Sequence, residues 1–197
     1  PTLGWVQVAD ARKALALLAA AWFDHPSRSL QLVGVTGTNG KTTVTQLLHG
    51  LLDAFGGCGR IGTLGMVRGP HTFPGGLTTP QAPEVQGFLA GCVRDGLKNA
   101  VMEVSSVGLD RHRVDELSFK VGVFTSFSGD HLDVHGTMEA YLQAKCRLFR
   151  MLGPEGWAVV HGEDDAVSAI LSCHEGPYLT YGMGDENDLY PLSYRCS

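Results

Sequence analysis

The stretch VGVTGTNGKTTVTQLLHGLL, residues 33 to 52, decides the fold. An apolar run leads into a loop of small residues, and one lysine and two threonines stand before an amphipathic pattern. A short apolar run that ends in a turn indicates a buried strand, and apolar residues at helical spacing indicate a helix. The stretch therefore predicts a strand, a loop and a helix in direct succession.

The loop of this stretch has the composition of an anion-binding turn. The N–H groups in the first turn of a helix are free and carry partial positive charge. Gly37 and Gly40 can take a positive φ, so the backbone can wrap closely around an anion. Lys41 adds a full positive charge, and Thr42 offers a hydroxyl to a magnesium ion. The strict phosphate-loop pattern has a small residue where this chain has Val35, and an ordinary strand–helix turn is the alternative.

The remainder of the chain alternates strand-like and helix-like segments, which predicts an α/β fold with a mostly parallel sheet and helices on both faces. The cap residues Asp10, Thr79 and Thr137 mark three helix starts, with Pro80 at the first helical position after Thr79. The glycine-rich patch 58–76 is predicted to hold one short strand and loops. The predicted helices are 10–23, 41–57, 79–96, 137–152 and 163–173, and the predicted strands are 30–35, 99–104, 119–127, 157–162 and 177–182.

Composition limits the class of protein. The chain has 197 residues, of which 44% are hydrophobic and 18% charged, as in one globular domain. A net charge of −5 argues against bulk attraction to nucleic acid or an anionic membrane. No apolar run is long enough for a membrane span, and the start lacks the order of a signal peptide. Five scattered cysteines predict reduced thiols in a cytosol-like compartment. The ending LSYRCS has no capping element, which predicts a boundary within a longer polypeptide.

Glu103 is the candidate carboxylate partner for a magnesium ion at the loop. It ends the apolar run NAVMEV, and carboxylates at the C-terminal ends of parallel strands face the ligand crevice. A buried glutamate is costly unless a cation pairs with it. A glutamate at a wet strand end is the alternative interpretation.

The segment SGDHLDVHG is dense in metal-binding residue types. Asp130, His131, Asp133 and His135 fall in one loop after a predicted strand. They fit either a turn with capping aspartates or a metal cluster, although magnesium prefers oxygen ligands to histidine. Both interpretations stay open at this point.

Three cations elsewhere in the chain also have an ordinary structural interpretation. Lys145 lies about two turns into a predicted amphipathic helix, where a lysine usually extends its amine into solvent. Arg111 and Arg113 flank His112 in LDRHRV. They could hold a carboxylate or a diphosphate bidentately, or they could form a solvated basic turn.

Five stretches together resemble one known family. VTGTNGKTT, LTTP, MEVSSVGLDRHRV, DHLDVHGTMEAYLQAK and a following LF occur in the order and spacing typical of the Mur ligases. Among these, the chain is most similar to the UDP-N-acetylmuramoyl-tripeptide synthetases. The resemblance runs from about Val8 to Tyr181.

The resemblance implies a three-domain cytoplasmic ligase of peptidoglycan synthesis. Residues 1–25 would be the end of a preceding UDP-binding domain or a linker helix, and residues 26–197 part of the central ATP-binding domain. The missing domains of the same polypeptide would include a C-terminal domain that binds the incoming amino acid. The implied reaction is ATP-dependent addition of a diamino acid to UDP-muramoyl dipeptide through an acyl phosphate. The sheet would lack its last strands, which leaves an open edge.

The resemblance also implies roles for individual residues. ATP would lie on the loop, and magnesium on Thr42 and Glu103. His131 and a carbamylated Lys145 would hold or adjoin a second magnesium, and Lys41, His131 and Lys145 would be catalytic. The nucleotide-binding set is Thr36, Gly37, Thr38, Asn39, Gly40, Lys41, Thr42 and Thr43, and the set that binds the muramoyl dipeptide is Thr78, Thr79, Ser105, Arg111 and Arg113.

The chain departs from the family pattern at several positions. Val107 stands where a histidine is usual, and Ser126 and Gly129 replace an asparagine and an arginine. Arg111 replaces a frequent glutamine, and HGEDD, which begins at His161, replaces the usual NADD. Three other functions are therefore weighed beside the ligase: a nucleotide-binding module without catalysis, a ligase like the folylpolyglutamate synthases, and a phosphate-loop kinase.

Overall fold

The computed structural model describes residues 4–193. In that range the structure has seven α-helices, one short 3-10 helix at Pro26–Ser29 and eight strands. The helices are α1 Ala11–Trp22, α2 Lys41–Asp53, α3 Ala82–Arg94, α4 Ser106–Asp110, α5 Leu132–His135, α6 Met138–Arg150 and α7 Val167–Leu171. The strands are β1 Gln31–Thr36, β2 Cys58–Gly62, β3 Gly65–Arg68, β4 His71–Phe73, β5 Asn99–Glu103, β6 Val121–Phe124, β7 Trp157–His161 and β8 Tyr178–Tyr181.

The strands form one sheet in the order β4-β3-β2-β5-β1-β6-β7-β8. Pairing is parallel throughout except at β3, which runs antiparallel to both β2 and β4. The central strand β1 lies between β5 and β6, and its register pairs Val35 with Glu103 and Thr36 with Phe124. The predicted α/β fold is therefore confirmed, and the glycine loop follows a central strand at the carboxyl edge of the sheet.

Helices cover the sheet on both faces because side chains alternate along each strand. Leu32 points into the larger apolar core together with residues of α3 and α6. The next residue, Val33, points to the other face, where it packs with Val35 and with Val44 and Leu48 of α2. The strands are thus buried on both sides, as parallel strands in α/β proteins usually are.

Three details of the predicted layout are wrong. The glycine-rich patch 58–76 holds three strands, joined by tight turns, instead of one. Helix α3 begins at Ala82 after Gln81, whose N–H donates to the Glu84 carboxylate at 2.9 Å, so Thr79 is not its cap. The predicted helix 163–173 is helical only at Val167–Leu171.

Other local predictions are confirmed. Asp10 caps α1 through its side chain, and the Thr137 hydroxyl caps α6 by accepting from the N–H of Ala140. Cys58, Cys92, Cys146 and Cys173 are free thiols, whereas Cys196 lies outside the described residues. The ending at 194–197 also lies outside them.

Helix α1 packs against α3 through small side chains. Ala16 and Ala20 are fully buried, and Ala82 of α3 belongs to the same cluster. The helix within the predicted segment 1–25 is therefore packed against the sheet domain. No helix among residues 4–193 has the length and apolar character needed to cross a membrane.

Candidate active site

The glycine loop has the backbone shape that its sequence predicts. Gly37 and Gly40 have φ values of 149° and 84°, in the region that favours glycine. A Cβ on Gly37 would lie 1.9 Å from the Thr125 hydroxyl oxygen, so a larger residue has no room there. Gly40 directly precedes α2, whose first residue is Lys41, so the free N–H groups of the helix open onto the loop.

The Lys41 amine closes the loop from inside. Its Nζ donates to the carbonyl oxygens of Gly37 and Thr38 at 2.8 and 2.9 Å. Burial lowers the pKa of Lys41, while the carboxylates of Glu103 and Asp130 act in the opposite direction. The amine is thus held against the glycine loop by two backbone carbonyl oxygens.

Glu103 is fully buried and lies beside the loop, as its strand position predicts. One carboxylate oxygen accepts from the hydroxyls of Thr42 and Thr63, both at 3.0 Å. The other accepts from the N–H of Thr63 at 3.0 Å, and the Thr63 hydroxyl contacts that of Thr78 at 3.0 Å. The wet strand-end interpretation is wrong, since Glu103 is a buried acceptor at the C-terminal end of β5.

A second loop, residues 125–128 after β6, lies against the glycine loop. The carbonyl of Ser126 accepts from the N–H of Thr38 at 2.7 Å, and its hydroxyl accepts from the N–H of Asn39 at 3.1 Å. The Thr125 hydroxyl donates to the Asn39 carbonyl at 2.5 Å. These bonds fix two of the loop's peptide units before any ligand is present.

Lys145 is 1% exposed, so the interpretation of a solvent-extended lysine is wrong. Its Nζ lies 4.2 Å from the centre of the Tyr141 ring. Burial, together with the nearby Lys41 cation, lowers the pKa of Lys145 to about 7. Within residues 4–193 the amine has no salt-bridge partner. A buried amine of this kind is costly as a cation and spends much of its time neutral near pH 7.

The four residues of the SGDHLDVHG segment do not converge on one point. No group of three or more His, Cys, Asp or Glu side chains in the described part of the chain could hold a metal ion. His131 directly precedes α5, has a left-handed φ of 53° and is exposed. His135 instead stacks on Tyr141 and contacts the Ser106 hydroxyl at 3.0 Å. The metal-cluster interpretation of this segment is wrong for these side chains alone.

One cleft of about 300 Å³ brings half of the predicted site residues together. It lies at the carboxyl edge of the sheet, with α4 and α6 as walls. Its lining includes Gly37, Lys41, Thr78, Ser105, Arg111, Arg113, His131 and Lys145 among the predicted residues, and Leu77, Ser106, Val107 and Tyr141 in addition. Cations from three separate elements therefore face one space.

Two residues that are predicted to bind substrate form hydrogen bonds within the chain itself. Thr79 is fully buried, and its hydroxyl donates to the Glu103 carbonyl at 3.0 Å and accepts from the Ser105 N–H at 2.9 Å. Arg113 is 6% exposed and donates to the Thr79 carbonyl at 3.0 Å. Arg111 is exposed and free to meet a ligand in the cleft. The roles of all three residues toward a substrate remain predictions.

The sequence reasoning missed Thr63 and Tyr141. Thr63 makes two of the three bonds to Glu103, and Tyr141 contacts both Lys145 and Thr38. Thr63 follows the short strand β2, and the available signal was the end of a strand next to β5, which carries Glu103. Tyr141 lies four residues before Lys145 on α6, a spacing that places two side chains on one helix face.

The departures from the family pattern occupy different places. Val107 lines the cleft, and Ser126 supplies two of the loop contacts described above. Gly129 is exposed with open space around its Cα. His161 stacks on Tyr181 at 5.4 Å, at the far side of the sheet from β2.

Comparison with known families agrees with this geometry. Residues 35–195 match the family model described as Mur ligase middle domain. The chain belongs to the Mur ligase family. The match begins in β1, just before the glycine loop, and covers the cleft and both of its helices.

Individual relatives of this Mur ligase domain carry more specific names. The chain is 42% identical, over its whole length, to a UDP-N-acetylmuramoyl-L-alanyl-D-glutamate–2,6-diaminopimelate ligase of Chlamydia caviae. It covers 41% of that relative, so it spans about two fifths of the length of the curated relatives it matches. A solved structure of a ligase with the same description matches 94% of the chain and 39% of its own, with 30% identity and a TM-score of 0.78.

The alternative of a ligase like the folylpolyglutamate synthases is supported only by similarity of fold. The structure described as E. coli FolC in complex with DHPP and ADP covers 90% of this chain and 48% of its own. Its TM-score is 0.66, but its identity is only 19%. The alternative function has no further support from sequence.

Proposed function

We propose that this chain is the ATP-binding part of a ligase that adds a diamino acid to UDP-N-acetylmuramoyl-L-alanyl-D-glutamate in the cytoplasm. The proposal rests on one observation: two groups of residues lie close together at one cleft. A phosphate loop with Lys41 adjoins a buried Glu103, and the cations Arg111 and Lys145 face the same space. The names of the relatives specify the acceptor and give 2,6-diaminopimelate as the added amino acid.

The loop residues are suited to the phosphates of ATP. The carbonyls of Gly37 and Thr38 now hold the Lys41 amine, and a phosphate would draw it away into a stronger, charge-assisted bond. Catalysis in phosphoryl transfer rests mainly on positioning and charge stabilisation. A substrate carboxylate would attack the γ-phosphorus and displace ADP, and the amine would then displace phosphate from the acyl phosphate and lose a proton. In this scheme the protein itself supplies no nucleophile.

Magnesium fits the corner formed by Thr42 and Glu103. Both offer oxygen, which magnesium prefers, and they already lie 3.0 Å apart. When bound, the ion would neutralise negative charge on the phosphates. Thr42, Glu103 and a modified Lys145 would hold magnesium ions, with His131 beside them. His131 offers a nitrogen from an exposed position and is the weakest member of this predicted set.

Carbamylation of Lys145 is part of the proposal. The neutral amine adds to carbon dioxide, forming N–COO⁻ and releasing a proton. The reaction would replace a buried, unpaired amine beside Lys41 with an anion, which changes a repulsion into an attraction. Burial against Tyr141 supports this step, since a pKa of about 7 leaves much of the amine unprotonated.

The domain boundaries of the proposal follow from the resemblance. Residues 1–25 belong to the end of a preceding UDP-binding domain or its linker, and residues 26–197 to the central domain. The groups that hold the uridine and the diamino acid would then lie on other parts of the polypeptide. Alignment of the two reactants can account for about 7–11 kcal/mol of a barrier, so this chain alone should form no amide.

The test uses the full-length parent and the isolated chain side by side. Each is incubated with ATP, magnesium, UDP-muramoyl dipeptide and either diaminopimelate or lysine, and the products are weighed by mass spectrometry. We expect tripeptide only from the parent, with one phosphate released per amide. A phosphorylated product without amide would favour a kinase, and nucleotide binding without turnover in the parent would favour a module without catalysis. Tripeptide from the isolated chain would contradict the domain assignment.

A further inference from the structure

Tyr141 lies where the glycine loop meets α6, the helix that carries Lys145. Its hydroxyl is 3.2 Å from the Thr38 hydroxyl, and its ring lies under the Lys145 amine at 4.2 Å. The side chain is 1% exposed, yet it lines the cleft. One residue thus touches both parts of the candidate site.

The hydrogen bonds around Thr38 assign the direction of the Tyr141 bond. The Thr38 oxygen accepts from the N–H of Ser128 at 3.0 Å and lies 3.3 Å from the Ser128 carbonyl. A hydroxyl has one proton to donate and two lone pairs to accept with. If Thr38 donates to the Ser128 carbonyl, every group is satisfied only when Tyr141 donates to Thr38. The tyrosine proton therefore completes the bonding of a loop residue.

The aromatic ring is fixed on its other sides. His135 stacks on it at 5.2 Å, Phe127 packs at 5.2 Å, and His131 meets it edge-on at 5.9 Å. Since Tyr141 precedes Lys145 by four residues, both side chains lie on the same face of α6. A ring held in this way cannot move without moving either the loop contact or the amine.

We propose that Tyr141 is a positioning residue that couples occupancy of the phosphate loop to the placement of Lys145. The inference rests on the proposed function, since it requires that the loop binds a magnesium nucleotide. A phosphate that draws Lys41 away from Thr38 shifts the loop, and the Tyr141 hydroxyl transmits that shift to the ring and the amine. Tyr141 acts here through its neighbours and not on the reacting atoms.

The experiment measures Mg-ATP affinity of the chain by calorimetry. Tyr141→Phe removes only the hydroxyl, and Thr38→Val removes its partner. Each change should weaken Mg-ATP binding about 3- to 10-fold, the range of one neutral hydrogen bond. The double variant should bind no more weakly than Thr38→Val alone, because Thr38→Val already removes the bond to Tyr141 together with the bonds to Ser128. Tyr181→Phe is the matched control, since its hydroxyl bonds the Phe124 carbonyl outside the cleft, and it should bind like the parent chain.

A second measurement reports on Lys145 directly. A short pulse of acetic anhydride labels free amines, and peptide mapping gives the labelled fraction at Lys145. In the parent chain, Mg-ATP should change this fraction at least about 3-fold, whereas in Tyr141→Phe at saturating Mg-ATP the change should be lost. Tyr141→Leu, which removes the ring, should raise the labelling of Lys145 even without nucleotide.

The outcomes separate this inference from the proposed function. A parent chain that binds no Mg-ATP overturns both. If the unsubstituted chain binds Mg-ATP and Tyr141→Phe matches it in affinity and in labelling, the inference is overturned. The proposed function would still stand. Additive losses in the double variant also overturn it, since two separate structural weakenings would add.

Discussion

Glu103 and Lys145 are both almost completely buried, at 0% and 1% exposure, but the protein treats the two charges differently. Glu103 is met by three donors from Thr42 and Thr63, so the folded chain stabilises its charge before a metal ion binds. Lys145 faces an aromatic ring and lies near another cation. A satisfied buried charge belongs to the folded framework, whereas an unsatisfied one marks a place where something else must arrive.

The largest effect expected from this difference concerns Glu103. Glu103→Ala should lower the free energy of unfolding by about 3–4 kcal/mol, because it leaves buried donors without their acceptor. The measurement is urea unfolding of the chain without ligand. Glu103→Gln, which keeps one acceptor oxygen, should lose less than half as much. Equal stability of Glu103→Ala and the parent would contradict the view that this carboxylate is part of the framework.

Lys41 lies near both Glu103 and Lys145, and its substitution should affect ligand binding more than folding. Lys41→Met removes the one amine that the loop carbonyls hold, so Mg-ATP affinity should fall about 100-fold, the upper range for a charge-assisted bond. Calorimetry gives the affinity and circular dichroism checks the fold. Lys98→Met, on the loop before β5 at the opposite edge of the sheet, is the control and should bind normally. Near-parental affinity of Lys41→Met would exclude the assigned role.

Lys145→Met should raise the free energy of unfolding, whereas Glu103→Ala should lower it. Methionine keeps the unbranched stem but removes the buried amine, so the unmodified chain should gain about 2 kcal/mol of stability near pH 6. The pKa of Lys145 is about 7 in the folded chain, below its ordinary value of 10.5, so the unfolded chain binds more protons between these values. Stability of the parent therefore rises with pH across that window.

The gain from Lys145→Met is consequently largest below pH 7 and should shrink as the pH approaches 10.5. Thermal unfolding of the parent and the variant in bicarbonate-free buffers at pH 6, 8 and 10 measures the trend. Lys120→Met, at an exposed lysine, should show no such trend. A loss of stability at pH 6 in Lys145→Met would mean that the amine has a stabilising partner.

Thr63→Val should give the smallest effect. It keeps the N–H bond to Glu103 and the shape of the side chain but removes one hydroxyl donor, so it should cost about 1 kcal/mol. Thr78→Val is a matched control, because the Thr78 hydroxyl contacts Thr63 and not Glu103. In urea unfolding, Thr63→Val should have a lower free energy of unfolding than Thr78→Val. The reverse order would mean that the Thr78 hydroxyl contributes more to stability than the Thr63 hydroxyl.

What the sequence could predict follows from how local each feature is. Gly37, Gly40 and Lys41 fall within one strand–loop–helix unit, so their spacing alone predicts the loop. Glu103 was predictable because neighbouring parallel strands end at the same edge. Thr79 looked like a helix cap by sequence, but its hydroxyl is used by the Glu103 carbonyl and the Ser105 N–H, contacts about 25 residues away in the chain.

The burial of Lys145 was not predictable from the pattern of α6 alone. A lysine on an amphipathic helix reaches solvent unless another element covers it. Here Tyr141, held by Phe127 and His135, lies against its amine. That arrangement depends on the long segment between β6 and α6, whose path no periodicity describes. The 58–76 patch was predicted to hold one strand instead of three for a related reason, since its strands are only three to five residues long.

Strand β8 at the edge of the sheet has a consequence for how separate molecules meet. The resemblance implied an open edge, and in the structure the segment 182–189 folds back and pairs with one residue of β8, Thr180. The Leu189 N–H donates to the Thr180 carbonyl, and the Asp188 carboxylate accepts from the N–H and hydroxyl of Thr180. The backbone groups of Thr180 are therefore not available to template the strand of another copy. These bonds hold the pKa of Asp188 below its usual range, so acidification strong enough to protonate it should unlock the edge and turn a clear solution of the chain cloudy.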